Sequence, residues 1–225
     1  MTATGVTVGG HLRHARARSR PMSAQPVESS RPTVTYQQLR ELAEEFEAVA
    51  ENRDHVARAD ITNQEITVHM MSPSKKHGRI VVMIARQIEN QDETAFTSAE
   101  CRVDHPGLGM CRTADLLVME QEAYEREADD DFAVFAPDAS VAFEVVSPSN
   151  PSNDHVTKLR DYPRMGIPVY VIVDPRDGTI TVHSGPDTSA GEPSYADTPR
   201  RYKFGDTVEV GRWTLETDGF PRYRC

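Results

Sequence analysis

The sequence predicts an α/β fold in which helices flank a mixed sheet. Several short segments in the second half of the chain are continuously apolar, which is typical of central strands covered on both faces. Two segments near the start instead repeat apolar residues with the period of helices that pack on a sheet. Between residues 140 and 174 a strand, a helix and a strand follow one another, which indicates a parallel crossover unit.

Two helices are predicted in the first half of the chain. Thr35 and Gln38 have the spacing of a capping box, so the first helix is expected to begin after Thr35. Its apolar residues recur at helical intervals: Leu39, Leu42, Phe46 and Val49. The second helix, from about residue 77 to 90, carries apolar residues on one side: Ile80, Val81, Ile84 and Ile88. Both helices are expected to pack on the sheet.

The strands are predicted from apolar runs bounded by turn residues. The first covers residues 64–71 and ends at Ser72, Pro73 and Ser74. Four more follow, at residues 112–119, 140–147, 168–174 and 179–184. A helix over residues 152–165 separates the second and third of these, and residues 174–178 form a hairpin turn. We expect a long mobile loop over residues 185–200 and a last edge hairpin between Tyr202 and Trp213.

Length and composition predict one domain after a basic tail. The chain has 225 residues, of which 38% are hydrophobic, enough to bury a core. Residues 1–30 lack a periodic apolar pattern and are expected to form a disordered basic tail, so the domain is placed at 31–225 with its core at about 35–184. A membrane-spanning run and a secretory signal are absent from the sequence, which predicts a cytoplasmic protein without membrane contact.

Charge and cysteine content limit the function classes. The formal net charge is −10, and the first thirty residues carry a local +3, so residues 31–225 carry −13. Such a body repels nucleic acid at long range, and contact with phosphate then needs a local basic strip or bound cations. The odd number and the spacing of Cys101, Cys111 and Cys225 support neither a disulfide framework nor a zinc cluster.

Two carboxylates in apolar strands are the main candidates for chemistry. The sequence has no phosphate-binding glycine loop, nucleophile elbow or His-Glu-x-x-His motif. Asp115 and Glu144, however, interrupt apolar runs, where a lone carboxylate is costly to bury. They could converge on one Mg²⁺ ion. The alternative is that Asp115 begins a strand and Glu144 pairs with an arginine such as Arg112.

Lys158 is the third candidate. It follows Glu144 by fourteen residues, across the turn at residues 147–150, and could reach back over the strand end. A lysine there could orient a water and offset charge on a phosphate. The alternative is a surface ion pair with Asp154, four residues earlier on the same helix.

These residues carry a resemblance to a known family. The segments FEVVSPSNPSNDHVTKLRDYPRMGIPVYVIVDP, RTADLLVM and EITVHMMSPSKKHGRIVVMIARQI resemble the Uma-two family of restriction-endonuclease-type proteins, in the PD-(D/E)XK nuclease superfamily. The similar region covers about residues 35–184. The resemblance implies a single nuclease domain with a restriction-endonuclease-like mixed sheet flanked by helices.

The resemblance also implies roles for individual residues. Asp115 and Glu144 match the two metal carboxylates, and Lys158 matches a catalytic lysine relocated to the helix. Val146 occupies the position of the superfamily's usual lysine, which is a departure from the Glu-x-Lys pattern. Glu65 matches a frequent family acid that could support the metal or a water, and His77 matches the family's Ser-Pro-x-x-x-His feature and could touch a phosphate. The alternatives are an exposed strand-end glutamate and a histidine that caps or hydrogen-bonds locally.

The sequence thus leads to a hypothesis of a Mg²⁺-dependent endonuclease, with Mn²⁺ as a second usable ion. Its partner is expected to be nucleic acid, with DNA favoured, and a homodimer is left open. The main alternative is a nuclease fold that binds or regulates without turnover, because fold alone does not fix function. A structural self-association domain is a third possibility.

Overall fold

The computed structural model describes residues 34–53, 56–71, 74–126, 133–189 and 191–223. The predicted basic tail and Cys225 lie outside these ranges. The described residues from Val34 onward group into one compact unit. None of the helices in the described ranges combines the length and apolarity needed to cross a bilayer.

The described elements include four α-helices and thirteen strands. The helices are α1 (Tyr36–Glu51), α2 (Lys75–Gln91), α3 (Gln121–Arg126) and α4 (Leu159–Arg164), the last preceded by a π-helical turn (Asn153–Lys158). The longer strands are β1 (Val56–Thr62), β2 (Glu65–Met71), β3 (Ala95–His105), β4 (Met110–Glu120), β6 (Ala139–Val145), β7 (Val169–Asp174) and β8 (Thr179–Ser184). The shorter strands are β5 (Ala133–Phe135), β9 (Pro186–Asp187), β10 (Ser194–Tyr195), β11 (Arg200–Lys203), β12 (Thr207–Val210) and β13 (Trp213–Glu216).

The main sheet is mixed, which confirms the predicted fold class. Its strand order is β11-β8-β7-β6-β4-β1-β2; off this path, β3 pairs with β4, and β5 pairs with β3. Strands β6 and β7 are parallel, and the chain between them passes through the π-helical turn and α4. Strands β7 and β8 are antiparallel across the predicted turn at residues 174–178. The predicted crossover and hairpin are therefore both present.

The core lies on both faces of this sheet. Along β4, Leu116 and Val118 belong to one apolar cluster, which includes α2. Leu117 and Met119 belong to a second cluster, which includes Tyr162 of α4. Neighbouring side chains of a strand point to opposite faces, so the continuously apolar strands are buried on both sides as predicted.

The two predicted helices are confirmed, with one change in the packing of α1. Thr35 caps α1, and both hydrogen bonds of the capping box are present. The side chains that α1 buries are Leu39 and Ala43. Three residues predicted to face the sheet remain exposed instead: Leu42, Phe46 and Val49. Helix α2 buries the four predicted side chains, Ile80, Val81, Ile84 and Ile88.

Strands β1 and β3 were not predicted from the sequence. Both mix charged with apolar residues, and β1 contains Arg58 and Asp60. Strand β1 pairs along its length with β2, in register with Thr62 opposite Glu65. The two-residue turn between them places Asn63 and Gln64 at φ 52° and 63°, as a tight hairpin of this type requires.

The region after β8 differs from the prediction. A short β9–β10 hairpin lies within the predicted loop at residues 185–200. The predicted edge hairpin at residues 202–213 is wrong, because β11 instead pairs with β8 as an edge of the main sheet. Strands β12 and β13 form a separate hairpin, in which Val208 and Trp213 are buried in the cluster that includes α2.

The sheet forks along β4. On one edge β4 pairs with β1 at Cys111 and with β6 from Leu116 onward. Residues 112–115 therefore lie between the two neighbouring strands, and their backbone groups on this edge need other partners. The Thr113 N–H donates to Asp60 Oδ1 at 3.1 Å, and the Thr113 carbonyl accepts from Lys158 Nζ at 2.7 Å. Polar side chains thus fill the fork.

Candidate active site

Asp115 and Glu144 lie side by side at this fork. Leu116 pairs with Phe143 across the antiparallel β4 and β6, so Asp115 and Glu144 occupy the next register position. Asp115 Oδ2 accepts a hydrogen bond from the Val145 N–H at 2.7 Å. Asp115 lies within β4 rather than at its start, which excludes the alternative that it begins a strand.

Lys158 reaches the same place from the helix. Its Nζ lies 2.7 Å from Glu144 Oε2 and 3.9 Å from Asp154 Oδ1. Lys158 is 5% exposed and Asp154 is also buried, so the alternative of a surface ion pair is wrong. Both side chains come from the π-helical turn, a distortion that is frequent at functional sites.

Tyr162 holds the other oxygen of Glu144. Its hydroxyl donates to Glu144 Oε1 at 2.7 Å, and the phenol ring is fully buried. Sequence reasoning did not identify Tyr162. The signal available was its position four residues after Lys158, which places both side chains on one side of a helix.

The two predicted supporting residues have different positions. His77, near the start of α2, has its Nε2 3.4 Å from Asp115 Oδ2. Its backbone N–H donates to Ser74 Oγ, so the local capping contact is present as well. Glu65 is exposed directly after the β1–β2 turn and does not line the pocket at the fork. The structure therefore brings His77 to the candidate site and leaves Glu65 away from it.

A buried network of ion pairs, formed by Arg112, Asp60 and Asp161, lies next to the site. Arg112 donates to Asp60 on β1 at 3.0 Å and to Asp161 on α4. The alternative in which Arg112 pairs with Glu144 is therefore wrong. Asp60 lines the pocket and was missed because β1 was not predicted. The network ties β1, β4 and α4 together around Lys158.

The candidate site residues line one pocket of about 340 Å³. Its inner wall contains Asp115, Glu144 and Lys158, and Asp60 and His69 of the β1–β2 hairpin lie on another side. Its rim includes neutral polar residues and one tyrosine: Ser147, Ser149, Asn150, Asn153 and Tyr223. Glu144 and Lys158 are recessed, because both side chains are buried.

Comparison with known proteins places this arrangement in a family. The sequence model of the Uma2 family, described as "Putative restriction endonuclease", matches residues 43–215, more than half of the chain. The chain belongs to the Uma2 family. This confirms the family that the sequence motifs resemble. A search of curated proteins gives no significant match.

A solved structure has the same fold as this Uma2 chain. It is the crystal structure from Anabaena variabilis described as "a putative nuclease belonging to DUF820". The TM-score is 0.57 at 16% sequence identity, with 79% of this chain and 89% of that chain covered. At this identity the likeness establishes the α/β fold.

The charges in the Uma2 pocket are strongly coupled. Burial raises the pKa of Glu144, aided by the charges of Asp115 and Asp154 and opposed by Lys158. Burial likewise raises the pKa of Asp154 to about 6. Burial disfavours the Lys158 ammonium, but Glu144 and the other carboxylates outweigh it and raise the pKa of Lys158. Lys158 therefore remains a cation at neutral pH.

Asp115 and His77 form a second coupled pair. Burial opposes the Asp115 carboxylate, but the contacts with His77, Lys158 and the Val145 N–H lower its pKa overall. Burial opposes the His77 imidazolium, and Asp115 outweighs this and raises the pKa of His77. Asp115 is therefore ionised near neutral pH.

Asp115 and Glu144 are the carboxylates of the pocket that fit a divalent cation. Within the described residues, no group of three or more His, Cys, Asp or Glu side chains is arranged to hold a metal ion by itself. Mg²⁺ does not need such a group, because it is usually held by one or two carboxylates together with waters and substrate phosphate. Asp115 and Glu144 supply that donor set.

Proposed function

We propose that this Uma2 protein is a divalent-metal-dependent nuclease that hydrolyses phosphodiester bonds at the fork of its sheet. The observation that carries the proposal is the convergence of Asp115, Glu144 and Lys158 in one recessed pocket. Family membership supports the same reaction class. DNA is the proposed substrate.

Asp115 and Glu144 would hold the cation, with Mg²⁺ and Mn²⁺ as the candidates. A bound divalent ion supplies Lewis-acid activation of the phosphate and of water. Asp115 is suited to this role because its pKa is low and its second oxygen accepts no hydrogen bond from the described residues. Glu144 is held in place by Lys158 on one oxygen and Tyr162 on the other.

Lys158 would act on the phosphate and on the attacking water. Its ammonium is fixed by Glu144 and the Thr113 carbonyl, so it is positioned before substrate arrives. A fixed cation in a recessed pocket stabilises charge that develops on the scissile phosphate. Lys158 can also donate a hydrogen bond that orients the nucleophilic water.

His77 would assist from the opposite side of Asp115. Its imidazole lies against the Asp115 carboxylate, and this contact fixes the orientation of both side chains. Asp115 raises the pKa of His77, and a protonated His77 would reduce the repulsion between the carboxylates and an incoming phosphate.

The test is cleavage of circular DNA, offered both as a duplex plasmid and as a single strand, by the purified protein. We expect strand cleavage with Mg²⁺ or Mn²⁺, no cleavage with EDTA, and no cleavage by Asp115→Asn. Asparagine is the most conservative replacement, because its side-chain oxygen can still accept from the Val145 N–H while the negative charge is removed. Cleavage by Asp115→Asn at the wild-type rate would reject the proposed site. Metal binding without cleavage by the wild-type protein would favour the binding or regulatory module.

A further inference from the structure

The segment after β13 lies at the mouth of the pocket. Tyr223 lines the pocket together with Ser74 and His77 from the start of α2. This segment follows residue 215, where the match to the Uma2 family ends. Its position at the pocket is therefore a feature of this chain beyond the matched region.

The segment is fixed on two sides. The Tyr223 N–H donates to the Pro175 carbonyl at 2.9 Å, and the Arg222 carbonyl accepts from Lys76 Nζ at 2.5 Å. The Arg222 guanidinium donates to the Asp177 carbonyl and lies over Gly178. A Cβ at Gly178 would clash with the Arg222 guanidinium, so glycine lets the arginine lie across the β7–β8 turn. These contacts fix the backbone of Arg222 and Tyr223, and the Tyr223 side chain lines the pocket beside Ser74.

The charged residues that line the pocket disfavour binding of duplex DNA. Among the described lining residues, five are carboxylates, and the Lys and Arg side chains are Arg58 and Lys158. Arg58 pairs with Glu100 at 2.8 Å, and Lys158 pairs with Glu144. Proteins hold duplexes largely by neutralising successive phosphates with Lys and Arg. The exposed rim residues Ser149 and Asn150 are neutral instead.

We propose that the pocket takes an unpaired strand of nucleic acid and that Tyr223 stacks on a base beside the scissile phosphate. This inference rests on the proposed nuclease function and specifies its substrate class. A strand without a partner can bend its phosphate into a recessed pocket and present a free base face to an aromatic ring. Stacking on aromatic side chains supplies affinity for single strands without a basic groove along the whole backbone. Tyr223 is then a substrate-positioning residue.

The experiment measures binding of a short fluorescein-labelled oligothymidylate by anisotropy, in Ca²⁺ at low salt. We expect wild-type protein to bind the single strand more tightly than the same sequence in a duplex. Tyr223→Ala should weaken single-strand binding by about tenfold, whereas Tyr223→Phe, which keeps the ring, should bind like wild type. The matched control is Tyr124→Ala, because Tyr124 is a half-exposed tyrosine on α3 that stacks on Phe96 and does not line the pocket.

Three other results overturn the inference. Single-strand binding by Tyr223→Ala within about twofold of wild type would remove the stacking role. Equal affinity for duplex and single strand, or no binding of the single strand, would remove the substrate class. Tyr223-dependent binding without cleavage in Mg²⁺ or Mn²⁺ would instead reject hydrolysis and retain the inference. The two failures are therefore distinguishable.

Discussion

At the scale of single residues, the buried pair of Lys158 and Glu144 is the feature on which most of the site depends. A buried ion pair is expensive to break because the remaining charge has no partner. We predict that Lys158→Met lowers the free energy of unfolding by about 3 to 5 kcal/mol. Urea denaturation at neutral pH checks this.

The double variant Lys158→Met with Glu144→Gln is the control for that prediction. It removes the unpaired carboxylate, so part of the lost stability should return. If Lys158→Met alone were as stable as wild type, the two groups would not form a buried ion pair in solution.

Asp154 gives a prediction about pH. Burial raises its pKa from 3.8 to about 6, so its contribution to stability is present below about pH 4 and is lost as the pH rises through 6. Asp154→Asn should therefore be more stable than wild type at pH 7, by at most about 3 kcal/mol. This difference should vanish near pH 4. Denaturation of both proteins across this pH range is the measurement, and a difference that grows toward low pH would contradict the assignment.

At the scale of elements, the network around Arg112 connects the strands to the helix that carries Lys158. We predict that Arg112→Met costs about 3 to 5 kcal/mol, because it leaves Asp60 and Asp161 buried without their shared partner. Arg160→Met is the matched control, since Arg160 donates to the same Asp161 from an exposed position and should cost less than about 1 kcal/mol. Equal losses in urea denaturation would show that the buried network does not hold α4.

The elements predicted from the sequence are those whose own apolar residues follow a strand or helix pattern. Strands β4, β6 and β7 are apolar on both faces, and α1 and α2 repeat apolar residues at helical spacing, so local pattern identified them. Asp115, Glu144 and Lys158 could be found because each charge interrupts such a pattern or matches a family motif.

The remaining elements depend on contacts between distant parts of the chain. Strand β1 contains Asp60, whose partners are Arg112 and the Thr113 N–H on another strand. A charged residue with distant partners has no local signal, so β1 and the role of Asp60 were missed. The same reason applies to Tyr223, which reaches the pocket through contacts with the turn at residue 175 and with α2.

At the scale of the whole molecule, net charge and pocket charge act in the same direction. The chain carries −10 overall, and carboxylates outnumber Lys and Arg among the described pocket residues, so we expect the pocket to attract a cation. A ligand that binds only the folded state stabilises it by mass action. We predict that millimolar Mg²⁺ or Mn²⁺ raises the melting temperature of the wild-type protein and leaves that of Asp115→Asn unchanged. An equal thermal shift in both proteins would place the bound ion elsewhere.

The most direct test of the account is the single-turnover rate of strand cleavage by Lys158→Met at saturating Mn²⁺, at a temperature where the variant is folded. Lys203→Met, which removes an exposed lysine on β11, serves as the control. If the Lys158 ammonium acts on the phosphate and the water, the rate should fall by about two to four orders of magnitude, with the control unchanged. A Lys158→Met rate within about threefold of wild type would contradict the account, because a positioned catalytic cation contributes far more than that.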